Sequence, residues 1–115
     1  MALHYNLAKV YEISSDDADF VHQILMLFFK EVSSEIQNIK QGINEKNHQK
    51  VYKAAHKIKP TLDLLGMDLA YEEINEIMIW AKSEKKKKEI KENFKLLKVQ
   101  IELSSKEIKK NYNIK

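Results

Sequence analysis

The sequence of 115 residues contains no cysteine, no arginine, one proline and two glycines. The lack of cysteine excludes disulfides and thiolate metal sites, and it fits a reducing, cytoplasmic compartment. Because so little glycine and proline leaves few turn-forming residues, we expect short loops and long helices. The length suits a single core, and we expect residues 1–115 to form one domain.

A long apolar run and a strong net charge are also missing. The longest apolar stretch, 24–29, is far too short to cross a bilayer. The N-terminus has no cationic start followed by an apolar run, so we expect no signal peptide. The net charge of +3 is mild and does not by itself imply a nucleic-acid partner. We therefore expect a cytoplasmic protein without a membrane or nucleic-acid partner.

What the sequence does contain is helical spacing. Apolar residues recur in steps of three and four along four successive segments, which predicts four amphipathic helices. The expected buried stripes are Val21, Leu25, Phe28, Val32, Ile36, Ile39 and Ile43; Val51, Ala55, Ile58, Leu62 and Leu65; Leu69, Ile74, Ile77, Met78 and Ala81; and Ile90, Phe94, Leu97, Ile101, Ser104 and Ile108.

Polar residues of the kind that cap helices precede these segments. The expected starts of the four helices are segment 14–17, Asn47, Asp68 and Ser83. A short helix over Leu3–Val10 is expected to cover the bundle. Because strand-like alternation is absent and the connections are short, the sequence predicts an all-α fold, an antiparallel up-down four-helix bundle with a short extra N-terminal helix.

The segment around His56 carries the candidate chemistry. At about 100° per residue, His56 lies about 140° from the centre of its apolar stripe, so its ring is expected to face solvent. An imidazole with an ordinary pKa of about 6.5 is largely uncharged near neutral pH, and its nitrogen lone pair is a nucleophile for a phosphoryl group. Lys59, one turn further on, is placed to neutralise the charge of the product.

This stretch resembles the motif of histidine-containing phosphotransfer domains, H-x-L-K-G-S-x-x-x-L-G. The matching residues are His56, Ile58, Lys59, Leu65 and Gly66, with Thr61 in place of serine. Upstream, segment 13–29 resembles the opening stretch of the family, I-S-x-x-D…F…L…F. The likeness extends to about residue 80, and the last helix matches only in its pattern.

The resemblance implies a phosphocarrier without kinase activity of its own. A receiver domain's aspartyl phosphate would phosphorylate His56 at Nε2, and the group would pass to another receiver. The implied partners are response-regulator receiver domains, a hybrid histidine kinase, or both. No cofactor is implied for this chain, because the receiver holds the Mg²⁺ that transfer needs. A self-contained bundle of this kind is expected to be a monomer.

One position departs from the motif, because Pro60 stands where the family usually has glycine. Proline removes the amide that would bond the His56 carbonyl, and inside a helix it costs about 3 kcal/mol. Leu62 and Leu65 nevertheless continue the apolar stripe without a change of phase. We therefore predict a kinked helix rather than a broken one, with Pro60 presenting a small, flat surface to a receiver.

Other residues on the outward side of this helix are candidates for a rim on which a receiver docks: Gln49, Lys53, Pro60 and Asp63. Asp63 is alternatively a solvated charge, and Lys82 supplies a second cation only if the next helix brings it close. The alternative function is a non-catalytic helical-bundle interaction module that binds a receiver or kinase without phosphotransfer. The presence of both His56 and Lys59 favours active transfer.

A run of four lysines, Lys85–Lys88, stands near the expected start of the last helix. A nucleic-acid patch is the alternative reading, but the run lacks interleaved aromatics and arginines. A solvated helix start accounts for it better, and we expect fraying over 83–88 because like charges oppose a helix N-terminus. The remaining histidines have no metal-binding spacing, so we expect no metal site.

Overall fold

The computed structural model describes residues 4–114 and contains five α-helices. They are α1 (Ala8–Ile13), α2 (Ala18–Asn44), α3 (His48–Leu64), α4 (Asp68–Lys82) and α5 (Lys91–Asn111), with a short 3₁₀ turn at Lys87–Glu89. The four long helices pack in chain order, α2 against α3, α3 against α4 and α4 against α5. Short connections make these neighbours antiparallel, so the fold is the predicted all-α bundle with a short N-terminal helix.

Two of the four predicted helix starts are confirmed by capping hydrogen bonds. The Asp17 carboxylate accepts from the amides of Asp19 and Phe20 at 3.0 and 3.2 Å, which begins α2. The Asn47 side chain accepts from the Lys50 amide at 3.0 Å, which begins α3. Each cap satisfies amides that a first helical turn leaves unpaired.

The other two predicted starts are wrong. Asp68 is the first residue of α4 rather than its cap, and Met67 precedes it without a side-chain capping bond. Ser83 ends α4, and α5 begins only at Lys91. The positive end of a helix disfavours the adjacent lysine run, so the chain passes through a 3₁₀ turn before the last helix starts.

The predicted short helix lies later than expected, at Ala8–Ile13 rather than Leu3–Val10, and Leu3 is outside the described residues. The segment before Ala8 runs across the α3–α4 turn, where the Asn6 amide donates to the Leu65 carbonyl at 3.0 Å. Gly66 makes this crossing feasible, because its φ is +63° and a Cβ there would lie 2.5 Å from the Asn6 backbone.

The predicted apolar stripes form the core with few exceptions. Leu25, Ile58 and Ile77 have no exposed surface, while Phe28, Met78 and Phe94 are half-buried against the core. Leu69 is the one clear error, because 55% of it is exposed. Met67 and Ala70 occupy the buried positions there instead. No helix within the described part of the chain has the length and apolar character to cross a membrane.

Candidate functional site

Helix α3 exposes a ridge that runs from Gln49 to Asp63 and carries His56, Lys57 and Lys59. Its opposite side is fully buried through Val51, Ala55, Ile58 and Leu62. His56 itself is exposed, as the helical spacing predicts. Because the buried side anchors α3 against both α2 and α4, the imidazole stands on a backbone held from two directions.

Pro60 lies inside α3, and the helix continues through it to Leu64. The prediction of an unbroken helix is therefore confirmed, and the kink stays a prediction. Proline has no amide hydrogen, so the His56 carbonyl receives no helical bond from residue 60. The next residue holds the helix in place, because Thr61 is buried and its Oγ1 donates to Glu31 Oε1 at 3.2 Å.

On the side that faces α4, aromatic rings surround the candidate pair. The Tyr52 ring, one turn before His56, stacks on the imidazole with centroids 6.0 Å apart and an interplanar angle of 18°. One turn after His56, Lys59 Nζ lies 5.4 Å from the centre of the Tyr71 ring of α4. These contacts restrict the imidazole on one side and hold the ammonium by a cation–π interaction.

On the side of α3 that faces α2, Lys57 is already paired with a carboxylate. Lys57 Nζ lies 3.0 Å from Glu35 Oε2, and Glu35 is buried with only 6% of its surface exposed. The hydrogen bond and the charge of Glu35 raise the pKa of Lys57 above its ordinary value. Glu35 Oε1 also accepts from Asn38 at 3.1 Å, so this carboxylate is neutralised and bonded at both oxygens.

Asp63 is paired with α1 rather than with the histidine. Lys9 Nζ contacts both carboxylate oxygens, at 3.1 and 3.2 Å. Both side chains are more than half exposed, so the pair contributes little to stability. The Lys9 ammonium offsets the negative charge of Asp63, which lies seven residues beyond His56.

The other rim candidates line shallow cavities on either side of the ridge. Lys53 and Gln49 share a cavity of about 480 Å³ between α2 and α3 with Glu35 and Lys57. A second cavity of about 330 Å³ between α3 and α4 is lined by His48, Gln49, Tyr52, Ala81, Lys82 and Glu84. The register of α4 therefore brings Lys82 to the cavity that Tyr52 also lines.

The structure thus places five of the predicted residues on the exposed side of α3, namely Gln49, Lys53, His56, Pro60 and Asp63. Lys59 is half-buried on the side that faces Tyr71 of α4. Sequence reasoning missed Tyr52, although its position four residues before His56 is the spacing at which helical side chains meet. It also missed Glu35, Tyr71 and Lys9, which belong to other helices. Only their tertiary placement reveals them.

Within residues 4–114, no three histidine, aspartate or glutamate side chains gather to form a candidate metal centre. Neither family models, nor curated proteins, nor solved structures yield a match to this chain. The resemblance of the sequence to phosphotransfer domains therefore has no support from these comparisons.

Proposed function

We propose that this protein is a histidine phosphocarrier, which accepts a phosphoryl group on His56 from a receiver-domain aspartate and passes it to another receiver. One observation carries the proposal: an exposed imidazole stands on a rigid helix with the Lys59 ammonium one turn away. Among residues 4–114, Lys59 forms no ion pair with a carboxylate. Its charge therefore remains available to a phosphoryl group.

The transfer is a nucleophilic displacement at phosphorus. The Nε2 lone pair of neutral His56 attacks the aspartyl phosphate, an N–P bond forms, and the P–O bond to the aspartate breaks as its carboxylate leaves. Nδ1 keeps its proton in the first product and can then release it to water. Transfer to a second receiver runs in the reverse sense: Nδ1 takes up a proton again, the aspartate of the second receiver attacks phosphorus, and the N–P bond breaks to regenerate the neutral ring. Such chemistry asks mainly for in-line positioning and charge stabilisation, which an oriented imidazole and one ammonium supply.

Two carboxylates around helix α3 are already paired with ammonium groups. Asp63 of α3 pairs with Lys9, and Glu35 of α2 pairs with Lys57. Repulsion of the phosphoryl group by these carboxylates is therefore reduced. Lys59 stabilises the charge that develops, while the stacked Tyr52 ring limits the rotation of the imidazole.

An apolar surface for docking lies beside the ridge. The pairs Glu31–Thr61 and Glu35–Lys57 fix the antiparallel register of α2 and α3. Continuing that register toward the start of α2 brings Leu27 opposite Leu65, about one turn beyond Thr61. Leu27 is 66% exposed, and Phe20 and Met26, also in the first half of α2, are each 47% exposed. A receiver docked across α2 and α3 would cover Leu27 and face His56.

The test is incubation with a phosphorylated receiver domain followed by mass spectrometry of the intact chain and its peptides. We expect an acid-labile phosphoryl group on His56 that is absent from His56→Gln and retained in His22→Gln, since His22 is also exposed but lies on α2. Label on another residue would contradict the site assignment. Receiver binding without any label would instead identify a non-catalytic interaction module.

A further inference from the structure

We propose that the end of the bundle opposite the α3–α4 turn holds a second site, which binds a ligand carrying clustered phosphate groups. The site consists of Lys46 from the α2–α3 turn and Lys85–Lys88 from the α4–α5 connection, and we call it the lysine cradle. It lies apart from His56 and does not depend on the proposed phosphotransfer. Three observations support it: its charge, its rigid backbone and the charge distribution of the whole chain.

The lysine cradle surrounds a cavity of about 450 Å³ that is lined by five lysines, His48, Trp80 and a single carboxylate, Glu84. Its volume is in the range of small-molecule sites. Across the residues that the structure describes, none of the five lysines forms an ion pair with a carboxylate. Five ammonium groups that have no ion-pair partner in the described part of the chain therefore surround the cavity, while much of its wall is apolar.

The backbone of the cradle lies outside the α-helices and is held by hydrogen bonds to side chains. Trp80 Nε1 donates to the Lys86 carbonyl at 2.8 Å, and His48 Nε2 lies 2.7 Å from the Lys85 carbonyl. The two rings also pack on each other, with centroids 4.6 Å apart. Glu89 completes the frame by accepting from the Lys86 amide at 3.0 Å. Four consecutive lysines thus project from a fixed backbone, which lowers the entropy cost of binding.

The chain is also electrically asymmetric. Residues 82–115 contain twelve lysines and five glutamates, whereas residues 1–81 contain eight lysines and twelve acidic residues. The excess positive charge therefore belongs to the last third of the sequence, and four of its twelve lysines are the consecutive residues Lys85–Lys88 of the cradle. A local field of one sign raises the concentration of anions around it and speeds their encounter.

The residue types indicate clustered phosphates rather than nucleic acid. An ammonium binds phosphate as a point charge without the planar fork of arginine, and several on one frame suit a ligand with two or more phosphates. Nucleic-acid surfaces usually add arginines and exposed aromatic rings for stacking. The chain has no arginine, and Trp80 is only 4% exposed. The shared chemistry fits a soluble polyphosphorylated molecule or a phosphoinositide headgroup.

The primary test uses sodium tripolyphosphate as the probe, with affinity from calorimetry and location from amide NMR shifts. We expect shifts centred on residues 83–90 and Lys46, and orthophosphate binding weaker by about tenfold or more. The variant K85Q/K86Q/K87Q/K88Q should weaken tripolyphosphate binding by about tenfold or more. The matched variant K30Q/K95Q/K106Q/K110Q removes the same charge from exposed lysines elsewhere and should change binding by less than about threefold.

A conservative variant tests the rigid frame. Trp80→Phe keeps every lysine but removes the donor to the Lys86 carbonyl, and circular dichroism reports whether the bundle remains folded. We expect tripolyphosphate to bind several-fold more weakly to this variant. Unchanged affinity in a folded Trp80→Phe protein would overturn the argument that the cradle is organised before binding.

Two further arms assign the source of the ligand and complete the test. Vesicles of phosphatidylcholine with phosphatidylinositol bisphosphate that bind more tightly than tripolyphosphate would assign a lipid headgroup, and weaker vesicle binding would assign a soluble ligand. Equal losses in the two quadruple variants would overturn the site in favour of net charge alone. Tighter binding of a DNA duplex than of either phosphate probe would overturn it in favour of nucleic acid.

The cradle and the proposed phosphotransfer can fail separately. His48, which holds the cradle, precedes His56 by eight residues, or about 12 Å along the helix axis. The variant K85Q/K86Q/K87Q/K88Q should therefore leave labelling of His56 by a receiver unchanged.

Discussion

Two lysine-rich regions of this bundle are held in opposite ways. On the α3 ridge, the side chains of Lys57 and Lys59 are fixed by partners on other helices, a buried carboxylate and a tyrosine ring. In the α4–α5 connection, the backbone is fixed by Trp80 and His48 while the lysine side chains remain unpaired among the described residues. The lysine side chains are therefore restrained on the α3 ridge, whereas the backbone is restrained in the α4–α5 connection.

The difference bears on what each region can do. A phosphocarrier needs one ammonium at one position relative to one imidazole, so restraint of side chains serves it. A polyanion site needs many charges that adapt to the shape of a ligand, so restraint of the backbone alone suffices. Lysine suits both regions because its long stem is flexible until a partner holds it.

The largest effect should come from removing the ring that supports the connection. Trp80→Ala deletes a buried indole and the donor to the Lys86 carbonyl, and it should lower the free energy of unfolding by about 3–5 kcal/mol. Hydrogen exchange of the amides of 85–89 should rise more than that of α3. Equal loss of protection in both regions would mean that Trp80 supports the whole bundle rather than the connection.

A smaller effect should follow from repairing the helix on the ridge. Pro60→Gly restores an amide donor to the His56 carbonyl, and the propensity difference between the residues predicts a gain of about 2 kcal/mol in a urea titration. Phosphotransfer should change by less than about tenfold, because glycine is also small and flat. A much faster variant would show that Pro60 obstructs the site and would weaken the proposed function.

The two lysines of the ridge can be compared with each other, because Lys57 is held by a carboxylate and Lys59 by an uncharged ring. Lys59→Ala should slow transfer from a phosphorylated receiver by about tenfold, or about 1.4 kcal/mol, because the phosphoryl group loses an ammonium that no carboxylate neutralises. The matched variant Lys57→Ala should change the rate by less than about threefold, since that charge already serves Glu35. Similar losses from both would argue for a general positive field instead.

The smallest effect concerns the ion pair between Lys57 and the buried Glu35. Glu35 raises the pKa of Lys57 above its ordinary 10.5, so the pair stabilises the fold below that pH and the contribution is lost as pH rises through the raised pKa. Glu35→Gln should therefore be less stable than the parent near neutral pH, and the difference should shrink in strongly alkaline buffer. Urea titrations across that range measure it.

The pKa of Tyr112 is raised as well, so its effect on stability at high pH must be distinguished from that of Lys57. Burial, with help from a hydrogen bond to Tyr11, raises the pKa of Tyr112 above its ordinary 10.0, so its contribution is also lost at high pH. The contribution of Tyr112 is the same in the parent and in Glu35→Gln, so it cancels when their free energies of unfolding are subtracted. A difference that persists unchanged above the ordinary pKa of lysine would assign the effect of Glu35 to packing rather than charge.

Much of the fold was readable from local pattern. The buried faces of α2, α3 and α5 follow from apolar spacing, because a helix repeats every 3.6 residues whatever surrounds it. The caps at Asp17 and Asn47 were likewise local, since each side chain bonds amides two or three residues away. The same local geometry predicted the exposure of His56.

Errors arose where a distant residue competes with the local signal. Ser83 is a residue type that caps helices, yet the lysines that follow it disfavour a helix start. Trp80 and His48 instead bond the backbone carbonyls of Lys86 and Lys85. Asn6 likewise holds the N-terminal segment against the α3–α4 turn, which moves α1 later than expected. Neither contact leaves a signal in a sequence window of one helix.

By itself, then, the sequence determined the number of long helices, their buried faces and the outward position of one histidine beside one lysine, because helix geometry relates residues only a few positions apart. The tertiary structure alone decided which lysines are paired, which carboxylates are neutralised and where the lysine run is anchored. Those outcomes depend on the register between helices, and register is set by the packing of side chains from segments that are far apart in the chain.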